Sequence, residues 1–155
     1  MQNTRSLRRL VRRFVRNARG AAAVELGLIA PVLVGIVVPM VDLGLGAYQK
    51  MEVQDAAESG AQYALEHGWN QTSVQNAATN TTPLSGVTAT AAESCHCVTS
   101  GAIGSAVTCG TTCADGSTAG TYVTVNTSAT YTMLVNYPGL TNPMTLTGYS
   151  MIRIE

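Results

Sequence analysis

The feature that most constrains this chain is a junction near its start. Arg5, Arg8, Arg9, Arg12, Arg13, Arg16 and Arg19 lead up to Gly20 with no acid among them. An apolar stretch follows over residues 21–41, interrupted only by Glu25. A carboxylate is costly inside hydrocarbon, so a lone acid near the start of such a stretch calls for a specific reason. A helix over residues 21–41 rises roughly 31 Å at about 1.5 Å per residue, enough to cross the hydrocarbon core of a bilayer.

The charges of the chain are segregated. Its formal net charge is zero, yet residues 1–20 hold seven of the nine basic residues and none of the nine acids. Beyond Gly20 the chain has Lys50 and Arg153 against nine acids, a net −7. Nucleic-acid binding by that part is thereby disfavoured, because phosphate contacts need a basic surface. The arginine block itself is accounted for by the excess of Lys and Arg on the cytoplasmic side of membrane helices. The apolar region is longer than that of a secretory signal, and no small-x-small cleavage site follows residue 41. A membrane helix with a cytoplasmic N-terminus remains, either a plain anchor or a processed one. Both place residues beyond about 45 outside the cytoplasm. Pro31 and Pro39 each remove a backbone donor and are expected to bend or loosen the helix, which membrane helices tolerate.

The helical pattern continues past the apolar stretch. Residues 48–66 contain no proline and one glycine. Val53, Ala56, Ala57, Gly60, Ala61 and Ala64 recur at the spacing of one helix face. Because these residues are small, the face permits close approach, either of the chain's own globular part or of a second subunit; the sequence leaves both open. Gly68 is suited to a left-handed cap that stops the helix.

Composition then changes. From Asn70 onward only Glu93, Asp115, Arg153 and Glu155 are charged. A short helix is expected over 72–78, ended by Pro83. Residues 122–135 alternate with a period of two, Val123, Val125, Ala129, Tyr131, Met133 and Val135 sharing one face, which predicts a half-buried strand of an antiparallel sheet. Residues 144–154 and 87–98 predict two more strands, and Tyr137-Pro138-Gly139 and Asn142-Pro143 carry turn chemistry. The fold class expected is α+β: a long apolar N-terminal helix followed by a small antiparallel sheet. Three parts are expected: residues 1–20 as a basic cytoplasmic leader, 21–68 as the long helix, embedded to about residue 45, and 69–155 as a β-rich extracytoplasmic domain.

A domain this small with few bulky apolar residues needs reinforcement. Cys95, Cys97, Cys109 and Cys113 supply it: outside the cytoplasm an even cysteine count in a short domain points to disulfides. Three pairings are possible, and bridging Cys95 to Cys97 is disfavoured by disulfide geometry. The nested pairing, Cys97–Cys109 inside Cys95–Cys113, is preferred to the crossed one because it fits a hairpin-like excursion. Four thiolates could instead hold zinc, with His96 as a further ligand, but the compartment argues against it. The spacings C-x-C and C-x3-C are not those of thioredoxin-like redox sites.

Other chemistry is not indicated. His67 and His96 are the only histidines. No nucleophile elbow, phosphate loop, dinucleotide fingerprint or paired carboxylates are present, so neither an enzyme nor a cofactor is expected. Trp69 is expected to pack on the core. The tripeptides at Asn70, Asn80 and Asn126 that match a glycosylation acceptor are expected by chance in so threonine-rich a chain.

The stretch Arg19-Gly20-Ala21-Ala22-Ala23-Val24-Glu25-Leu26, followed by Ala30-Pro31-Val32-Leu33, resembles the start of TadE-like proteins, pseudopilins of the Tad (Flp-type) pilus system. The resemblance continues through Val53-Gln54-Asp55-Ala56-Ala57, Gly60-Ala61-Gln62-Tyr63-Ala64, the paired cysteines and Tyr122-Val123-Thr124-Val125. It implies cleavage by a prepilin peptidase after Gly20, leaving Ala21 as the first residue and Glu25 as the fifth. Ala21 departs from the pattern, since many prepilins carry a larger residue there. The leader is also long, and Gly27 and Gly35 are alternative glycines, though neither precedes an apolar run with a correctly placed glutamate. Under this resemblance the chain is a structural minor pilin or pseudopilin of the bacterial inner membrane, with its C-terminal domain periplasmic. Its partners are the prepilin peptidase and other pilins, and it takes part in assembling or capping an adhesive pilus. Glu25 would pair with the new α-amino group of a neighbouring subunit, so that neither charge stands alone in a low dielectric. The alternative is a permanently anchored extracytoplasmic binding module with no role in a filament.

Overall fold

The computed structural model of the protein describes residues 18–155; residues 1–17 of the expected leader lie outside the described residues. In chain order the elements are α1 (Ala18–His67), α2 (Gln71–Asn80), β1 (Thr88–Thr99), β2 (Ala102–Val107), β3 (Gly120–Tyr131) and β4 (Met144–Arg153). The chain divides into two compact units, Met1–Leu43 and Gly44–Glu155, and α1 contributes to both. Pro31 and Pro39 lie inside α1, which runs through them.

In the second unit the four strands form one antiparallel sheet in the order β2-β1-β3-β4. This is the α+β arrangement expected, with one strand more than the alternation reveals. The missed strand is β2, whose residues are nearly all exposed and therefore show no apolar period. Its only signal is the Ser100-Gly101 dipeptide. Both residues have positive φ, 53° and 81°, the backbone of a tight two-residue hairpin turn. Strand β3 ends at Tyr131, earlier than the alternation to residue 135 suggests. The Asn142 side chain takes the Met133 N–H (3.0 Å) and donates to the Met133 carbonyl (3.2 Å), replacing the next ladder partners. Met133 stays buried, whereas Val135, expected on the same face, emerges into solvent.

The small-residue face of α1 packs on the chain's own sheet. Val53, Ala56, Ala57, Ala61 and Ala64 are buried. Ala57, Ala61 and Ala64 join Val74 and Ala78 of α2 with Ala91, Val123 and Val125 of the sheet, and Trp69 packs against this cluster as expected. A second cluster joins Val53 to Ala129, Tyr131, Met133 and Leu146. Two glycines allow the approach. A Cβ on Gly60 would lie 3.0 Å from the Ala78 Cβ and 3.2 Å from Val125 Cγ1. A Cβ on Gly148 of β4 would overlap the Val53 carbonyl oxygen and Thr127 Oγ1. The buried Thr127 hydroxyl donates to that same carbonyl at 2.6 Å. A helix carbonyl already bonded within its own turn thus accepts a second hydrogen bond from the sheet, and the two layers are pinned where they come closest.

The helix ends are chemically specified. Gly68 adopts φ 80° and its N–H bonds to the Ala64 carbonyl at 3.0 Å. Asn70 then caps α2, its Oδ1 accepting the Ser73 N–H at 2.9 Å. Helix α2 is longer than the 72–78 expected, because the Asn70 cap fixes its start at Gln71.

The free edge of β4 is closed by α1. The Gln54 side-chain amide accepts the Tyr149 N–H (3.1 Å) and donates to the Tyr149 carbonyl (2.9 Å), and Lys50 Nζ donates to the Thr147 carbonyl. A side-chain amide here does what the next strand would do.

Substituting Gly148→Ala is expected to destabilise the second unit by about 1–3 kcal/mol or more through overpacking. Thr127→Val is expected to cost about 1–3 kcal/mol by removing a buried hydrogen bond. Thermal unfolding of both variants, followed by circular dichroism of the full chain in detergent, checks this; unchanged midpoints would contradict the described contact.

Candidate functional site

The apolar part of α1 carries the first set of candidate residues. Gly20 and Ala21 lie at the start of the described helix, followed one turn later by Glu25. Around Glu25 the apolar side chains face outward: Val24, Leu28, Val32, Val37 and Met40 are each more than half exposed. Because the exposed residues occur on every side of the helix, they form a sleeve rather than a stripe, as suits a helix surrounded by an apolar medium. Gly27 and Gly35 have open space where a Cβ would stand, so neither marks a close contact within the chain. By length and composition this is one helix able to cross a membrane.

Asp42 was not evident from the sequence as a special residue. It is fully buried, although Val41 and Leu43 beside it are half exposed. The available signal was a second acid directly after the apolar run, which marks the end of the sleeve.

The cysteines form the second set, at the opposite end of the second unit from Gly46 and Tyr131. All four are disulfide-bonded, as expected, but the pairing is crossed. Cys95 bonds Cys109 (Cα–Cα 5.1 Å) and Cys97 bonds Cys113 (Cα–Cα 5.6 Å). The nested pairing, Cys97–Cys109 with Cys95–Cys113, is corrected here, and β2 is the reason. The tight Ser100-Gly101 turn, followed by a one-residue register shift between His96 and Val98, places Cys95 opposite Val107. The chain therefore leaves β2 beside Cys95, and Cys109, two residues on, meets it. The chain then turns at Thr108–Thr111 and doubles back, with Cys113 N–H bonding the Ser117 carbonyl (2.7 Å) and Ala119 N–H bonding the Thr111 carbonyl (2.9 Å). That return carries Cys113 to Cys97. Cys95, Cys113 and Ala119 form a small buried cluster of their own.

His96, between the two bridged cysteines, is occupied structurally. Its Nδ1 lies 2.8 Å from the Gly104 carbonyl and its Nε2 lies 2.9 Å from Ser94 Oγ. A carbonyl only accepts, so Nδ1 carries the proton, and in the neutral ring Nε2 accepts the Ser94 hydroxyl. The ring stands edge-on to Tyr122 at 5.4 Å. A cavity of about 430 Å³ opens beside it, lined by His96, Ser100, Asp115, Ser117 and Arg153 among others. Its polar groups answer one another. Ser117 donates to Asp115 through its N–H (3.0 Å) and its hydroxyl (2.7 Å), which holds the Asp115 carboxyl below its ordinary pKa. Arg153 Nε donates to the Glu155 carbonyl at 2.6 Å. Among the described residues, no group of His, Cys, Asp and Glu is placed to hold a metal ion.

A helix long and apolar enough to cross a membrane, continued by a disulfide-braced α+β unit, is the class of arrangement seen here. Residues 20–62 match the family model described as TadE-like protein, so the segment running from the Gly20-Ala21 junction through the small-residue face of α1 is TadE-like. No curated protein and no solved structure matches the chain.

Removing one bridge as Cys95→Ala with Cys109→Ala is expected to lower stability by about 3 kcal/mol, the value for a loop of this length. Chemical denaturation of the double variant checks it. A thiol assay should find no free thiol, because Cys97 and Cys113 remain partners.

Proposed function

We propose that the chain is a minor pilin or pseudopilin of a Tad-type pilus. It is inserted in the inner membrane by α1 with its N-terminus cytoplasmic and its second unit periplasmic. A prepilin peptidase cleaves it after Gly20. The processed chain joins other pilins in assembling or capping an adhesive filament. The observation that supports this most is the coincidence of two things on the same residues: the outward-facing apolar sleeve of α1 and the TadE-like match over 20–62.

The chemistry follows from the junction. Cleavage would free a positive α-amino group at Ala21, close to the exposed Glu25 carboxylate one turn away. In a low dielectric a lone charge is expensive, so each group favours a partner of opposite sign. Glu25 of one subunit and the amino group of the next satisfy each other, and that pairing sets the axial register of an incoming subunit. The small-residue face at 53–64 is already occupied by the chain's own sheet, so subunit contacts fall to the sleeve.

Intact mass and N-terminal sequencing of the protein from membrane and sheared-surface fractions test the reading. A start at Ala21 in both fractions is the expected result; a start at Met1 in both would overturn it in favour of a permanently anchored module. Glu25→Gln is expected to be cleaved normally yet to reach the surface fraction at least about tenfold less, the effect of leaving one buried charge unpaired.

A further inference from the structure

The loop joining β3 to β4, residues 132–143, is unusual for a surface segment. It contains no charged residue, and it exposes Leu134 (70%), Leu140 (46%) and Val135 (44%). It is nonetheless firmly shaped. Asn142 grips the Met133 backbone from both sides and donates to Asn136 Oδ1 at 2.6 Å. Tyr137-Pro138-Gly139-Leu140 forms a turn closed by the Leu140 N–H to the Tyr137 carbonyl (3.2 Å), with Gly139 at φ 86°. That is proline and glycine at the two central positions of a type II turn. The apolar residues are therefore presented by a built loop.

Its position in the second unit supplies the partner. Tyr131, immediately before the loop, lays its ring over Gly46, 3.1 Å from where a Cβ would stand. Further along α1, Val53 meets Thr127, and Gly60 meets Val125. Helix and strand thus run antiparallel, and the loop sits at the end where α1 passes toward its apolar sleeve. The disulfide-bonded excursion lies at the other end, where β1 pairs with the start of β3. A bilayer crossed by residues 21–45 would end next in the chain to Gly46, the residue Tyr131 covers.

We propose that the β3–β4 loop is a second membrane contact, which seats Leu134, Val135 and Leu140 in the interfacial layer of the bilayer on the side of the second unit. The inference rests on the reading that α1 spans a membrane. Because the loop has no basic residue, the contact is made by apolar burial and does not depend on anionic lipid. It would hold the sheet close over the membrane before assembly, and extraction of a subunit would have to release it.

Fluorescence quenching in reconstituted vesicles tests this. Trp69 is the only tryptophan, so Trp69→Phe gives a silent background, with folding verified by circular dichroism. Into it go Leu134→Trp or Leu140→Trp in the loop, Leu33→Trp in the sleeve, and Ala102→Trp at the far hairpin. The full chain is placed in phosphatidylcholine vesicles with lipids brominated near the top of the acyl chain. Emission from the two loop positions is expected to shift to the blue and to fall about twofold, as for groups buried at the acyl boundary, with and without phosphatidylglycerol. Ala102→Trp should be unaffected. If Leu33→Trp is quenched while both loop positions behave like Ala102→Trp, the loop lies in water and the inference falls alone. If Leu33→Trp is itself not quenched, the spanning helix fails and the inference with it. A blue shift that is insensitive to brominated lipid and grows with protein density would show the loop packing on a second copy, which also overturns the proposal.

Discussion

Everything in the second unit depends on how closely α1 can approach the sheet. A helix packed on a sheet normally leaves room for branched side chains between the layers. Here the interface is lined by Ala57, Ala61, Ala64 and Gly60 on one side and opened by Gly148 on the other. The backbones come near enough for the Thr127 hydroxyl to reach the Val53 carbonyl. Small residues bury little apolar area each, so the gain lies in dense contact over a long seam. The largest fully buried side chains of this unit are Val53, Val74, Val123, Val125 and Cys95, which shows how thin the core is.

A thin core explains why the rest of the unit relies on directional bonds. Farthest from Gly46, where no helix covers β2, the two crossed disulfides and the His96 contacts hold the excursion in place. At the lateral edge, Gln54 and Lys50 take up backbone groups of β4. At the remaining end, the Asn142 amide closes the ladder after β3. Each device sits where burial stops.

The sequence made the repeating features readable and hid the singular ones. Val123, Val125 and Tyr131 announced β3 by their period, and the face from Val53 to Ala64 announced itself by helical spacing. Whether that face met its own sheet or another subunit was undetermined, because small residues suit both; the structure answers with the sheet. Strand β2 was invisible because an exposed edge strand has no buried side to alternate with. Without β2 and its register shift the hairpin axis falls elsewhere, and the nested pairing fits better than the crossed one that the structure holds. The end of β3 was overrun because the residue that ends it, Asn142, lies far along the chain. At the candidate site, charge and hydropathy single out Gly20, Ala21 and Glu25 as candidates, whereas nothing in them marks the burial of Asp42.

The antiparallel run of α1 against β3 has a mechanical side. From Gly46 to Gly60 the helix advances about 21 Å, and from Tyr131 to Val125 the strand returns about 20 Å. The two therefore keep pace, and the contacts at Tyr131, Thr127 and Val125 lie along one line of nearly constant spacing. A pull along the helix axis loads these contacts together, in shear, instead of opening them one after another. A subunit drawn by its N-terminal helix would carry its sheet along as a single rigid load, with the tension spread over the seam and little of it reaching the bridged cysteines at the far end.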